Sequence, residues 1–209
     1  MDKYPSKLLK DAVEAISSLP GVGSRSALRL ALHLLKQPSE NIHHFAAAID
    51  RLADEVKYCR CCNMIADDHI CTICADQKRD HSTICVVESV RDVMSVENTA
   101  QYHGVYHVLG GIISPINGIG PSDLSISSLL SRVAEADGMV EIILALSGDV
   151  EGETTAFYLY RQLEATPAFQ QGRLKVSTLA RGLGFGDDLE YADSLTLGRS
   201  ITGRQPFRP

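Results

Sequence analysis

Four cysteines stand in two closely spaced pairs before the middle of the sequence. Two residues separate Cys59 from Cys62 and Cys71 from Cys74, and eight residues lie between the pairs. A tetrahedral Zn²⁺ takes four thiolates, and each C-x2-C turn lets two sulfurs reach one ion at about 2.3 Å. The spacing therefore predicts a structural zinc site. Because four protein ligands leave no open position on the metal, we expect this zinc to hold structure and to do no chemistry.

Other thiols and imidazoles near the cluster are weaker candidates. Cys61 interrupts the first pair and lacks the two-residue gap, so we expect it to be a bystander. His69 and His81 are conceivable substitutes for a sulfur ligand. Cys85 lies in an apolar stretch, where a thiol packs as a small hydrophobic group. A redox role for the C-x2-C pairs is the alternative chemistry, although a thioredoxin-like pair sits between a strand and a helix.

A second motif, Leu19-Pro20-Gly21-Val22-Gly23, joins two predicted helices. Glycines at Gly21 and Gly23 let the backbone turn tightly and approach another molecule, and the start of the next helix offers free N–H groups to a phosphate. Arg25 and Arg29 share one face of that helix, where they predict a sequence-independent phosphate clamp. The motif resembles the helix-hairpin-helix of DNA repair proteins, and the alternative is an ordinary helix hairpin.

Acidic residues follow two of the predicted strands. The candidates are Glu88, Asp149, Glu151 and Glu153. Carboxylates at the carboxyl ends of neighbouring parallel strands converge at one edge of the sheet, where they can hold Mg²⁺. Glu151 and Glu153 are equally expected as first-turn acids that favour a helix N-terminus.

This arrangement resembles the Toprim fold shared by primases and topoisomerases, in which a glutamate after the first strand joins an Asp-x-Asp after a later one. Glu88 matches the glutamate and Asp149 the second aspartate, whereas Ser147 stands where the first aspartate belongs. The metal cradle thus lacks a ligand, which favours a partner-binding or vestigial role for these acids. No nucleophile is tied to the site, so we predict no catalytic residue.

The composition is typical of a globular chain. Its 209 residues are 44% hydrophobic and 22% charged, and no apolar run approaches the roughly 18 residues of a membrane span. The amino terminus lacks a signal-peptide pattern, which predicts a cytoplasmic protein. A net charge of −6 means that DNA binding must come from local basic patches. One patch lies in residues 17–38 and the other comprises Arg199, Arg204 and Arg208, and either could be only a solvated surface.

Periodicity divides the chain into four parts. The pattern in residues 1–57 predicts a helical domain that contains the hairpin. Within it, we expect residues 27–35 to form a buried helix and Ser39 to be the N-cap of the following helix. Residues 58–77 form a four-cysteine zinc finger, too small to fold on apolar burial alone. Residues 80–180 alternate strands and helices, as in a Toprim-like α/β domain with a mainly parallel sheet. Residues 181–209 are a glycine-rich, basic segment. The predicted class is α+β and multi-domain.

Within the Toprim-like part, strands and helices are expected at definite positions. The predicted strands are 83–87, 105–109, 141–146 and 174–179. The predicted helices are 92–97, 125–136 and 153–164.

The order of these parts resembles the RecR family of bacterial recombination and repair proteins over the whole chain. The resemblance is carried by Leu19-Pro20-Gly21-Val22-Gly23, the zinc knot, Ile84-Cys85-Val86-Val87-Glu88, Tyr106-His107-Val108-Leu109-Gly110-Gly111, Val150-Glu151-Gly152-Glu153 and Leu189-Glu190-Tyr191-Ala192-Asp193. The combination is specific, whereas no single piece would identify the family.

The resemblance implies a recombination mediator associated with the nucleoid. Such a protein acts with RecO, and in some bacteria with RecF, to load RecA onto single-stranded or gapped DNA. Arg25 and Arg29 match the family's DNA-binding hairpin, with arginine where the first position is usually lysine, and the Toprim acids would face RecO. The resemblance also implies a ring-like tetramer or dimer, in which several weak basic faces act together on one DNA molecule.

Three functions compete for this sequence. The leading hypothesis is a non-enzymatic DNA-binding mediator, and the main alternative is a Mg²⁺-dependent Toprim enzyme that acts on DNA phosphodiesters. A third is a zinc-stabilised scaffold that never touches DNA. Ser147 argues against the enzyme, and the hairpin arginines argue against the scaffold.

Overall fold

The computed structural model describes residues 4–180, 182–183 and 188–204. The chain divides into two compact units, Met1–Val56 and Lys57–Pro209. Arg208 and two glycines of the carboxyl-terminal segment, Gly184 and Gly186, lie outside the described residues. No helix in the described part of the chain combines the length and the apolar character needed to cross a membrane.

The first unit contains three helices, and two of them form a hairpin. Helix α1 covers Lys7–Ser17, α2 covers Ser24–Leu34 and α3 covers Ser39–Glu55. The hairpin of α1 and α2 is closed by a small core of Val13, Ala27 and Ala31, with Val22 of the connecting turn packed against it. Small alanines on α2 let the two helix backbones approach closely, so the turn between them is held in place.

Two predictions about this unit were wrong in detail. Residues 27–34 are helical and Leu35 is the C-cap, but Leu30, Leu32 and Leu35 are exposed. Among the described residues, α2 buries only Ala27 and Ala31, which pack against Val13 of α1. The N-cap of α3 is Pro38, and Ser39 is the first residue of the helix. Composition predicted an apolar helix correctly, but it could not reveal how many neighbours that helix would have.

Helix α3 has an apolar stripe and no buried residue. Phe45, Ile49 and Leu52 recur at three- to four-residue spacing and are each more than half exposed, at 54%, 55% and 59%. A stripe of this kind normally packs against another element. Its exposure leaves one helical face of the first unit available for an interaction.

The second unit begins with the cysteine-rich segment. Strands β1 (Lys57–Tyr58) and β2 (Ile65–Ala66) pair antiparallel, and the short helix α4 (Thr72–Ala75) follows them. The buried side chains of this segment are three cysteines, Cys59, Cys62 and Cys71. With so little hydrocarbon to bury, the segment depends on another source of stability.

A four-stranded parallel sheet forms the centre of the second unit. Its strands are β3 (Asp80–Val87), β4 (Gly104–Val108), β5 (Val140–Leu144) and β6 (Leu174–Thr178). The strand order is β4-β3-β5-β6, and every neighbouring pair is parallel. The helices of this part are α5 (Val90–Glu97), α6 (Ile126–Ala134), α7 (Val150–Glu164) and α8 (Pro167–Gln170). The predicted α/β architecture is confirmed.

The carboxyl-terminal half of strand β3 is buried on both faces, which explains the unbroken apolar run of residues 84–87. Ile84 and Val86 belong to a large core shared with α6 and α7, whereas Cys85 and Val87 pack with Val93 of α5 on the opposite face. Parallel strands covered on both sides lose the polar alternation of a half-exposed sheet. Burial raises the pKa of the Cys85 thiol to about 11, in line with the packing role predicted for it.

Element boundaries differ from the predictions by a few residues. Strand β5 ends at Leu144 rather than at 146, and α7 begins at Val150 rather than at 153. Helix α7 starts early because the Asp149 side chain caps it. A final helix, α9 (Ser194–Thr202), is capped in the same way by Asp193.

Candidate functional site

Four cysteine sulfurs gather at one point of the cysteine-rich segment. The Sγ atoms of Cys59, Cys62, Cys71 and Cys74 all lie within 4.8 Å of one another. The turn between β1 and β2 positions the first pair through two backbone bonds, from Cys59 N to Met64 O at 2.8 Å and from Asn63 N to Cys59 O at 2.9 Å. Cys71 caps α4, and its sulfur accepts a bond from Cys74 N at 3.4 Å.

The close packing of four ionisable thiols favours a bound cation. A hydrogen bond with Cys74 raises the pKa of Cys62 well above the ordinary value, and burial raises the pKa of Cys71 to about 11. Burial also acts to raise the pKa of Cys59, but backbone hydrogen bonds outweigh it and bring the pKa to about 7. Four thiolates would repel one another in this space, and Zn²⁺ supplies the compensating charge together with four soft-ligand bonds. The donor set fits a structural zinc ion.

The alternative ligands lie outside the cluster. Within the part of the chain that the structure describes, no other group of three or more Cys, His, Asp or Glu side chains gathers to this degree. Cys61 is exposed, and the His81 ring lies 3.1 Å from the backbone oxygen of Asp76. His69 is exposed as well. The prediction of a four-cysteine site is confirmed in its geometry.

The hairpin turn uses its two glycines differently. Gly21 has φ of +79°, a left-handed conformation that glycine adopts without steric cost. Gly23 has an ordinary φ of −78° and serves as the N-cap of α2. No atom lies within 4 Å of a Cβ placed at either position. The turn therefore leaves the first N–H groups of α2 accessible, and the first turn of α2 contains no acidic residue.

Basic side chains line one open groove along α2. Its volume is about 460 Å³, and its basic residues are Arg25, Arg29, His33 and Lys36, with Leu28 and Leu32 between them. All four basic residues are exposed. Arg25 and Arg29 are four residues apart, so they place two positive groups about 6 Å apart along the helix. This surface is suited to an extended anion.

The acids predicted at the Toprim edge are each engaged by the protein itself. Glu88 Oε1 accepts a bond from Ser147 N at 2.5 Å, so strands β3 and β5 are joined at their carboxyl ends. Asp149 caps α7 by accepting from Gly152 N at 2.7 Å, which lowers the pKa of the carboxyl group. Glu151 accepts a bond from Ser114 Oγ at 2.6 Å.

The residue that departs from the Toprim pattern has a structural role. Ser147 Oγ donates to Asp149 Oδ1 at 3.0 Å. A Cβ at Gly152 would come within 2.1 Å of the same hydroxyl oxygen, so the helix backbone approaches Ser147 too closely for any side chain at position 152. Ser147 therefore fastens the start of α7. In the described residues the acids do not converge as a set of three metal ligands.

Two contacts of this region were missed by sequence reasoning. Arg199 of α9 binds Glu153 of α7 through both guanidinium nitrogens, at 2.8 and 3.1 Å. Ser114, in the connection between β4 and α6, holds Glu151. Both partners are far from the acids in sequence, and no local pattern marks them. Arg199, predicted as part of a basic patch, is half-buried in an ion pair.

Models of four protein families match consecutive parts of the chain. They are described as RecR helix-hairpin-helix (residues 9–53), RecR four-cysteine zinc finger domain (56–76), Toprim domain (82–180) and RecR C-terminal (182–205). Together these matches account for most of the sequence.

Curated relatives match over nearly the full length. Recombination protein RecR of Porphyromonas gingivalis is 56% identical over 99% of this chain and 97% of its own. Recombination protein RecR of Bacteroides thetaiotaomicron is 55% identical over 98% and 97%. The RecR of Cytophaga hutchinsonii is 50% identical over 98% of this chain and 97% of its own.

Proposed function

Because this chain belongs to the RecR family of recombination proteins, we propose that it is a non-enzymatic DNA-binding mediator of recombinational repair. It acts with RecO, and in some bacteria with RecF, to load RecA onto gapped or single-stranded DNA. The observation that carries this proposal is the open basic groove of α2 directly after the Gly21 turn. Its ligand is the DNA backbone, bound without regard to base sequence.

The groove supports backbone binding for electrostatic reasons. Arg25 lies in the first turn of α2, where free N–H groups and the helix dipole already favour an anion, and Arg29 follows one turn later on the same face. Guanidinium groups bind phosphate oxygens in a bidentate fashion, and Gly21 and Gly23 keep the backbone at the turn bare of side chains. Such contacts position a protein on DNA but carry no base-specific information.

Self-association completes the DNA-binding surface in this proposal. The chain has a net charge of −6, so the basic groove of one chain attracts DNA against the repulsion from the negative charge of the whole molecule. The exposed stripe of Phe45, Ile49 and Leu52 on α3 supports contact between copies. A ring-like tetramer or dimer would present several grooves to one DNA molecule and would multiply their effective affinity.

Each of the four parts of the chain has its own role in the proposed function. Residues 1–57 bind DNA, 58–77 form the zinc finger, and 80–180 turn the Toprim acids Glu88, Asp149, Glu151 and Glu153 towards RecO. Residues 181–209 join in the contacts between subunits. This function belongs in the cytoplasm, at the nucleoid.

The second candidate, a Mg²⁺-dependent Toprim enzyme, has weaker support. One carboxylate oxygen of Asp149 caps α7 and one of Glu88 accepts a backbone N–H, and among the described residues these acids do not converge as a set of three metal ligands. Nicking or joining of a gapped duplex by the native protein with Mg²⁺, and not by Asp149→Ala, would establish the enzyme. No such activity is expected.

The test of the mediator function is a reconstituted loading reaction. Gapped DNA is covered with single-stranded-DNA-binding protein, and the ATPase of RecA reports its assembly when RecO and this protein are added. We expect loading with the native chain and with Arg51→Ala, whose guanidinium pairs with Glu55 on α3. We expect a lag close to that without mediator for the Arg25→Ala, Arg29→Ala variant. Equal loading by that variant would contradict the proposal.

A further inference from the structure

Arg199 of helix α9 binds one of the Toprim acids. The Arg199 guanidinium bonds the Glu153 carboxylate at 2.8 and 3.1 Å, a two-pronged geometry in which each nitrogen faces its own oxygen. The two side chains remain 39% and 40% exposed, so the pair lies at the surface. Another molecule can therefore reach the same carboxylate.

Glu153 differs from the other three acids in what holds it. Glu88 accepts a hydrogen bond from Ser147 N, and Asp149 accepts from Gly152 N and from the Ser147 hydroxyl. Glu151 accepts from the hydroxyl of Ser114. Those donors are neutral and belong to the loops and helix of the sheet itself. In the described residues, Glu153 alone of the four is bound by a cationic side chain, and that cation comes from the carboxyl-terminal segment.

The described side chains of α9 are at most partly buried. None of its side chains that the structure describes is buried, and Ile201 is 59% exposed. An exposed ion pair contributes little net stability, and salt screens it further. Release of α9 from the Toprim edge would therefore expose no fully buried group among its described side chains.

We propose that α9 is an internal competitor for the partner site: Arg199 occupies Glu153 in the free chain, and an arginine-bearing segment of the partner displaces it. The proposal rests on the proposed function, in which the Toprim acids face RecO. An arginine is the fitting partner group because the carboxylate is already shaped to a bidentate guanidinium. Displacement frees α9 at the moment when the partner binds, which couples partner binding to the position of the carboxyl-terminal segment.

The experiment measures RecO affinity by titration calorimetry with full-length variants. Arg199→Ala removes the competitor and Glu153→Gln removes the receptor. Arg204→Ala is the matched control, since the Arg204 side chain donates a hydrogen bond to the backbone carbonyl of Ile201 and, among the described residues, forms no ion pair with an acid. Hydrogen exchange of the amides in residues 194–202 is recorded for each variant, with and without RecO. This second measurement reports release of α9 directly.

The proposal expects opposite effects at the two ends of one ion pair. Arg199→Ala should bind RecO about threefold more tightly, the size of a weak surface contact, while Glu153→Gln should bind about tenfold more weakly. Amides of α9 should exchange faster in Arg199→Ala and, in the native chain, on addition of RecO. Arg204→Ala should match the native protein.

Two results would overturn the inference in distinguishable ways. If the native chain binds RecO and Arg199→Ala binds it equally or more weakly, α9 does not compete, while the mediator function stands. If no variant binds RecO at all, the proposed partner is wrong and the inference fails with it.

Discussion

The backbone amide of Val108 donates a hydrogen bond of 2.8 Å to the carbonyl oxygen of Cys62. Val108 ends the edge strand β4, and Cys62 is one of the four clustered thiols. Arg132 of α6 bridges the same junction, since its Nη1 donates to Tyr106 O of β4 at 2.7 Å and lies 3.5 Å from Cys61 O. The cysteine-rich segment therefore covers a sheet edge that would otherwise present unpaired backbone groups. The four-cysteine site and the sheet are thus joined by a backbone hydrogen bond.

Removal of zinc should loosen the sheet edge as well as the finger. We expect Cys62→Ser or a strong chelator to abolish the single bound zinc and to accelerate amide exchange in residues 57–76 and at Val108. Structural zinc is worth about 10–16 kcal/mol in small finger peptides, so apolar burial here cannot replace it. Zinc content by mass spectrometry and hydrogen exchange provide the measurement.

The matched control for the zinc prediction is Cys61→Ser. Cys61 is exposed and stands outside the cluster, so one zinc per chain and native exchange at Val108 are expected. Loss of zinc from this variant, with zinc retained by Cys62→Ser, would reassign the ligands.

Stability should depend on pH through Glu97. The Arg79 guanidinium, joined by the Tyr106 hydroxyl, holds the pKa of Glu97 below its ordinary value of 4.5. A carboxyl group whose pKa is lower in the folded than in the unfolded state stabilises the fold at pH values above the unfolded-state pKa. This stabilisation is lost as the pH falls through the folded-state pKa. Glu97→Gln should therefore lower the free energy of unfolding at pH 7 by about 1–2 kcal/mol, and the difference from native should shrink below pH 4.5.

Urea unfolding at a series of pH values measures this difference. Glu164→Gln, which breaks the exposed pair with Arg161, is the control and should cost under about 0.5 kcal/mol. A Glu97 effect that stays constant from pH 7 to pH 3 would show that the charge of the carboxylate is not its source.

The two hairpin glycines should respond unequally to alanine. Gly21→Ala forces a side chain into a left-handed conformation and should destabilise the first unit by about 1–2 kcal/mol. Gly23→Ala keeps an ordinary backbone conformation and loses only some N-cap preference, at less than about 1 kcal/mol. Hydrogen exchange across α1 and α2 measures both. An equal cost at the two positions would mean that φ at Gly21 does not matter.

The α3 stripe should mediate self-association. Phe45→Asp places a charge in the stripe, and we expect light scattering at micromolar concentration to report a smaller species than the tetramer or dimer proposed for the native protein. His44→Asp adds a charge one residue earlier, about 100° round the helix, and should leave the assembly intact. A native protein that is strictly monomeric would contradict the proposed ring.

Local patterns in the sequence predicted the zinc site and the parallel sheet. The C-x2-C spacing brings each pair of sulfurs together within one turn, and the unbroken apolar run Ile84–Val87 identifies a strand buried on both faces. Contacts between distant residues were not predictable in this way. Glu153 and Arg199 are 46 residues apart, and nothing near either residue marks the other. The exposure of α2 was also missed, because periodicity describes a helix face and not the neighbours around it.

The most direct test of DNA binding is a fluorescence anisotropy titration of a labelled gapped duplex across a salt series. The native protein and Arg51→Ala should bind with a steep salt dependence, because phosphate contacts release counterions. Arg25→Ala, Arg29→Ala should lose affinity, and its log–log slope should fall by about two for each groove engaged. If this variant keeps the native affinity and slope, the α2 groove is not the DNA-binding surface.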